Sequence, residues 1–123
     1  MNIIDSSGWL EYFAEGPKAD FFALGVENVD ELLVPSISIY EVFKRILQQR
    51  SETEALQAIV AMQQGRVIEL DATIVLSAAK LSATLKIPMA ESTILATGRT
   101  FDAIIWTQDV DFYGLDGVRY IVK

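Results

Sequence analysis

Seventeen carboxylates, and neither a histidine nor a cysteine, set the chemistry open to this 123-residue chain. Without imidazole or thiol there can be no His-based triad, no thiol nucleophile, no zinc ribbon and no disulfide. Any metal must be held by oxygen, which favours Mg²⁺, Mn²⁺ or Ca²⁺. Proton chemistry near neutral pH then falls to carboxylates or to water acidified by a cation. The question is which acids could converge.

Four acids stand where a short apolar run ends or where the following helix begins: Asp5, Glu41, Glu91 and Asp109, with Asp111 as a fifth candidate. Each has an ordinary reading beside the chemical one. Asp5 follows Ile3-Ile4 and could simply cap a helix, although Ser6 and Ser7 can do that without a charge. Glu41 has Lys44, Arg45 and Gln48 at helical spacing, so a solvated face with a Glu41–Arg45 pair explains it equally. Glu91 shares a face with Ile94, Leu95 and Gly98, away from Thr93, Thr97 and Thr100, and either serves the helix dipole or points into a site. Asp109 in TQDVDF is a turn aspartate or a second strand-end acid. Neighbouring parallel strands lie about 4.8 Å apart, and two carboxylates at adjacent tips repel unless a proton or cation lies between them. Such a rim suits Mg²⁺ or Mn²⁺ and phosphodiester hydrolysis. The hydroxyls of Ser6 and Thr107 are then candidates for a metal-associated water or a phosphate oxygen, and Lys44 and Arg45 for the nucleic-acid backbone.

The elements that must place these acids follow from pattern and punctuation. Ile3–Asp5, Leu32–Pro35, Val67–Leu70, Ala103–Thr107 and Arg119–Val122 read as strands. Ser6 or Ser7 caps a helix bearing Trp9, Leu10, Tyr12 and Phe13, which Gly16-Pro17 ends. A helix from Lys18 to about Asn28 turns Phe21, Leu24 and Gly25 inward. Ser36 or Ser38 caps the helix through Ile39, Val42, Phe43, Ile46 and Leu47. Ser51-Glu52-Thr53-Glu54 has capping-box form and opens the next. Asp71 caps a helix that Ile87-Pro88 breaks, and Ala90 to Phe101 forms the last. Residues 108 to 117 are a turn region. Strands alternating with helices predict an α/β fold, a mostly parallel sheet covered on both faces. In such sheets ligands sit beyond the C-terminal strand ends, where these acids are expected.

The chain's length and its 51% hydrophobic residues suit one domain over residues 1–123. No apolar run reaches the roughly 20 residues of a membrane helix, and no signal-peptide pattern opens the chain. A cytoplasmic protein that does not enter membranes is the expectation. The net charge of −7 argues against broad phosphate binding, unless acids gathered at a metal site account for part of it. An acidic surface also suits a basic protein partner.

Four segments taken together, IIDSSGWLEYF, SISIYEVFK, IPMAESTILAT and TQDVDF, resemble the PIN-domain family, and within it the VapC-type toxins of toxin–antitoxin systems. The resemblance covers nearly the whole chain. It implies a three-layer α/β/α fold and a metal-dependent endoribonuclease using Mg²⁺ or Mn²⁺. It also implies Asp5, Glu41, Glu91 and Asp109 as the acidic cluster, with Asp111 a further acid of the last motif and Thr107 its hydroxyl position. It further implies a homodimer and a cognate antitoxin whose tail lies across the site; the acidic charge fits a tail bearing arginine or lysine. Glu91 departs from the aspartate usual in the third motif. Two alternatives share the sequence evidence: an RNA-processing nuclease of the same fold without an antitoxin, and a non-catalytic protein that grips a basic peptide.

Overall fold

Adjacent residues of each central strand bury against different layers, as the period-two alternation of a β-strand requires. Ile3, Leu33 and Ile105 belong to one apolar cluster. Ile4, Leu32, Val34 and Trp106 belong to another. A sheet whose two faces are both covered must be apolar on successive residues, and these strands are. The computed structural model describes residues 1–123. In chain order the elements are β1 (Asn2–Ile4), α1 (Ser6–Phe13), α2 (Ala19–Val26), a 3-10 turn (Val29–Glu31), β2 (Leu32–Pro35), α3 (Ser36–Gln49) and α4 (Glu52–Met62). There follow β3 (Arg66–Ile68), α5 (Ala72–Leu85), α6 (Met89–Thr100), β4 (Ile104–Thr107), a second 3-10 turn (Val110–Phe112) and β5 (Val118–Tyr120).

The strands form one sheet in the order β3-β2-β1-β4-β5, and every neighbouring pair is parallel. The chain builds outward from β1 through β2 to β3, then returns to place β4 on the other side of β1. That reversal opens a crevice beyond the carboxyl ends of β1 and β4. Ile3 is opposite Ile105 and Ile4 opposite Trp106. The Asp5 N–H donates to the Trp106 carbonyl at 3.1 Å, so pairing continues one residue past β1. Asp5 and Thr107 therefore leave the sheet side by side.

Trp9 of α1, Phe22 and Val26 of α2, Val42 of α3 and Ala58 and Met62 of α4 cover one face. Ile74 and Ala78 of α5, Ile94, Leu95 and Ala96 of α6 and Phe112 cover the other. Gly8 is required where α1 meets this packing: a Cβ there would lie 2.6 Å from Phe22 Cε1 and 2.7 Å from Ile4 Cγ2.

The expected caps at Ser51 and Asp71 form, accepting from the backbone N–H of Glu54 and Ile74. Two others differ. Asp5 itself caps α1, because its carboxylate, not Ser6 or Ser7, reaches the Gly8 N–H. Pro35 precedes α3 with no side-chain cap; the Ser36 hydroxyl instead accepts from Leu70 N–H at 3.2 Å, and Ser38 is fully buried. On α2 Gly25 is buried as expected, but it is joined by Phe22 and Val26 in place of Phe21 and Leu24, and Leu24 is exposed. Along α6 every residue from Ser92 to Gly98 is buried, so of the polar face marked by Thr93, Thr97 and Thr100 only Thr100 reaches solvent. The Thr93 and Thr97 hydroxyls bond back to the carbonyls of Ala90 and Thr93. β3 begins at Arg66 and ends at Ile68, since Leu70 N–H is taken by Ser36.

Candidate acidic active site

Asp5 is only 3% exposed, a carboxylate at the tip of a buried strand. Its Oδ1 accepts from the Ser7 hydroxyl at 2.7 Å and the Gly8 N–H at 3.0 Å. Its Oδ2 accepts from the Thr107 hydroxyl at 2.8 Å. Burial pushes the Asp5 carboxyl up from 3.8 to about 6; Ser7, Thr107 and Gly8 oppose that rise by bonding the charged form, and the nearby Asp109 charge adds to it. Capping and clustering are thus one arrangement of one side chain.

Thr107 joins the two strand tips. Its hydroxyl donates to Asp5 and accepts the Asp109 N–H at 2.9 Å. Asp109 in turn accepts the Asp111 N–H at 2.9 Å and opens the short 3-10 turn. Glu91 reaches the same place from the first turn of α6. One carboxylate oxygen from each of Glu91, Asp109 and Asp111 lies within 4.8 Å of the others. The Glu91 carboxyl is raised, first by burial and then by the charges of Asp109, Glu41 and Asp111, with a backbone hydrogen bond opposing.

Glu41 arrives on α3. It forms no ion pair with Arg45; its Oε1 accepts instead from the Ser6 hydroxyl at 2.5 Å. The chain's two ion pairs lie elsewhere, between the N-terminus and Glu31 and between Arg50 and Glu54. Asp5, Glu41, Glu91 and Asp109 line one cleft of about 390 Å³, with Lys44 and Arg45 at its side. All four predicted acids are therefore brought together. The tightest trio is nonetheless Glu91, Asp109 and Asp111, so the exposed Asp111 belongs to the cluster itself.

Residues 3–118 match the family model of the PIN domain. The chain belongs to the PIN-domain family. No curated protein sequence matches it. Among solved structures it resembles a toxin–antitoxin complex from Klebsiella pneumoniae, with a TM-score of 0.80 and 21% identity over 97% of this chain and 96% of that one. It resembles Mycobacterium tuberculosis VapC20, a sarcin–ricin loop cleaving toxin, with a TM-score of 0.76 and 14% identity over 97% and 99%. It also resembles VapBC2 from Rickettsia felis bound to promoter DNA, with a TM-score of 0.75 and 12% identity over 98% and 96%. At these identities the likeness is one of fold.

In this PIN domain the oxygen-only donor set fits a hard divalent cation. Converging carboxylates with no lysine or arginine in ion-pair contact leave negative charge uncompensated, and a cation would relieve it. Three further residues bear on the site. Ser7 bonds Asp5, and Gln108 Nε2 donates to the Ser7 carbonyl at 3.3 Å. A hydroxyl two residues after a strand-end acid is the local signal that marks Ser7; nothing in the sequence marks Gln108. Tyr40 lines the cleft immediately before Glu41. The Ser6 and Thr107 hydroxyls donate to Glu41 and Asp5 and so orient the two acids. A larger cavity of about 790 Å³ adjoins the cleft, sharing Ser7, Leu10 and Arg45 with it. It contains none of the four acids.

Proposed function

We propose that this PIN domain is a metal-dependent endoribonuclease that hydrolyses RNA phosphodiester bonds and serves as the toxin of a VapBC-type toxin–antitoxin pair. The observation that carries the hydrolytic reading is the convergence of Asp5, Glu41, Glu91 and Asp109 on one cleft without a cationic partner. The toxin reading rests on the fold shared with toxin chains.

Asp5, Glu91 and Asp109, helped by Glu41 and Asp111, would hold Mg²⁺ or Mn²⁺. The cation supplies Lewis-acid polarisation of a phosphoryl oxygen and acidifies a water for attack. Ser7, Gly8 and Thr107 fix both oxygens of Asp5, so its remaining lone pairs face a defined direction. Ser6 fixes Glu41, which with its neighbours can orient the attacking water and take up its proton. Lys44 and Arg45 offset phosphate charge at the rim. With a net charge of −7, the remaining surface repels nucleic acid, which confines RNA binding to this rim. The same acidic cleft suits an arginine or lysine from an antitoxin tail, which would compete with cation and substrate. We assign the working form as a homodimer.

The test is cleavage of single-stranded RNA in Mn²⁺ or Mg²⁺. Cutting that is lost in EDTA and lost in Asp5→Asn supports the assignment. Absence of cutting with every divalent metal, in protein shown to be folded, rules out the enzyme and leaves peptide binding as the function of the cleft.

A further inference from the structure

The Tyr40 ring is 61% exposed although it lies on α3 beside the acidic cleft, one residue from Glu41. Its hydroxyl makes no hydrogen bond within the chain. The Lys44 Nζ sits 5.7 Å from the ring centroid. Residues 40 and 44 form one helical stripe, and Glu41, Arg45 and Gln48 form the stripe next to it, nearer the acids. The cleft rim thus carries an exposed aromatic ring, with the Lys44 ammonium over one of its faces and Arg45 beside it, in a chain that is otherwise strongly acidic. Neither core packing nor a local bond explains the ring.

We propose that Tyr40 is the stacking platform for one unpaired nucleobase of the RNA, next to the phosphate that enters the cleft. This deepens the nuclease reading and rests on it. The chemistry is complementary. A phosphate near the acids needs Lys44 and Arg45 to offset its charge, and the base attached to the adjoining sugar needs an apolar face outside the acidic pocket. An aromatic ring offers that to any base, because every base has a π-face. A base can reach it only when splayed from a helix, so the platform selects single-stranded or looped RNA over duplex. Tyr40 is then a positioning residue that sets register.

The experiment compares wild type, Tyr40→Phe, Tyr40→Trp and Tyr40→Leu on one short single-stranded RNA in Mn²⁺, and on the same RNA with an abasic nucleotide at each position around the cut. Because Tyr40 is exposed, all four proteins should fold, and far-UV circular dichroism checks this. Phe and Trp are expected to keep kcat/KM within about threefold of wild type. Leu is expected to lose roughly 10- to 100-fold, mostly in KM, the range found for one base–aromatic stack. At one position flanking the cut, the abasic RNA should lower wild type to the level of Tyr40→Leu and leave Tyr40→Leu unchanged. Equal kcat/KM for wild type and Tyr40→Leu overturns the platform and assigns the ring to a protein contact. So does an abasic penalty of equal size in both proteins. If wild type cuts no RNA at all, the nuclease reading itself fails and the platform with it, a result distinct from either of these.

Discussion

The Thr107 hydroxyl donates to Asp5 Oδ2 at 2.8 Å across 102 positions of sequence. The Thr107 hydroxyl oxygen also accepts the Asp109 N–H at 2.9 Å. One buried hydroxyl therefore orients a carboxylate on β1 and sets the start of the turn that carries the carboxylate after β4. Outer partners of this kind commonly set how well a metal is held.

Thr107→Val keeps the shape and removes both bonds. It leaves a buried acceptor and a buried donor without this partner, so a stability loss of about 1–3 kcal/mol is expected in metal-free protein. Mn²⁺ affinity should fall by roughly 10- to 100-fold. Thr107→Ser should restore most of both. A calorimetric Mn²⁺ titration decides; wild-type affinity in Thr107→Val would show the hydroxyl to be idle.

Asp5 gives the pH dependence a definite sign. Its carboxyl is raised from 3.8 to about 6 in the folded chain. Between those values the folded state holds a proton that the unfolded state has released. Asp5 is therefore neutral toward stability below about pH 4 and costs stability as pH rises through 6. The cost is on the order of 3 kcal/mol, from about two pH units at about 1.4 kcal/mol each. Asp5→Asn keeps a competent helix cap and removes the charge. In EDTA the substituted protein should match wild type at pH 4 and melt several degrees higher at pH 7. Parallel melting curves across that range would contradict the buried, charged Asp5. Added Mn²⁺ is expected to reverse the order at pH 7, because an ion held at the site would bind the deprotonated wild type.

Glu91 is raised first by burial and then by Asp109, Glu41 and Asp111, so neutralising it relieves repulsion. Glu91→Gln should leave the metal-free protein at least as stable as wild type while cutting the Mn²⁺-induced rise in melting temperature by half or more. Glu91→Asp restores the carboxylate usual in the third PIN motif. Mg²⁺ requires stricter octahedral geometry, so this change should raise activity in Mg²⁺ relative to Mn²⁺. An unchanged ratio of the two activities would mean that side-chain length at this position does not shape the site.

Gly8→Ala tests packing behind the site. The added methyl meets the buried ring of Phe22 and the branch of Ile4, neither of which is a flexible end. Overpacking of about 1–3 kcal/mol outweighs the gain of up to about 1 kcal/mol from alanine's helix propensity. The urea midpoint should fall, with cleavage per folded molecule also reduced, because the Gly8 N–H holds Asp5. A midpoint at or above that of wild type would refute the close approach.

The parallel architecture and the strand-end acids were legible because the relevant signals are local: two-faced apolar strands, S-x-x-E and Asp caps, and a Pro break. Asp5, Glu41, Glu91 and Asp109 could be named from their places alone. Partner choice was not legible. Arg45 stands one helical turn from Glu41, yet the Ser6 hydroxyl, 35 positions away, takes the carboxylate. Thr93, Thr97 and Thr100 mark a polar face of α6, yet Thr93 and Thr97 are buried because their hydroxyls are satisfied by their own helix, while Thr100 is exposed. Asp111 joined the cluster through a turn whose geometry depends on Asp109 accepting its N–H. In each case the deciding contact is tertiary or conformational, and residue spacing does not encode it.

The return of the chain to the far side of β1 has a consequence for timing. Three of the four acids precede β4, but Asp5 lacks Thr107 and the cleft lacks Asp109 until that strand has docked. Contacts this distant in sequence form late, since long loops must close before such contacts stabilise anything. A molecule whose β4 has been peeled away keeps most of its carboxylates but loses the Thr107 bond that joins the two strand tips. The fold thus acts as its own safety catch: the full carboxylate cluster exists only in the finished state.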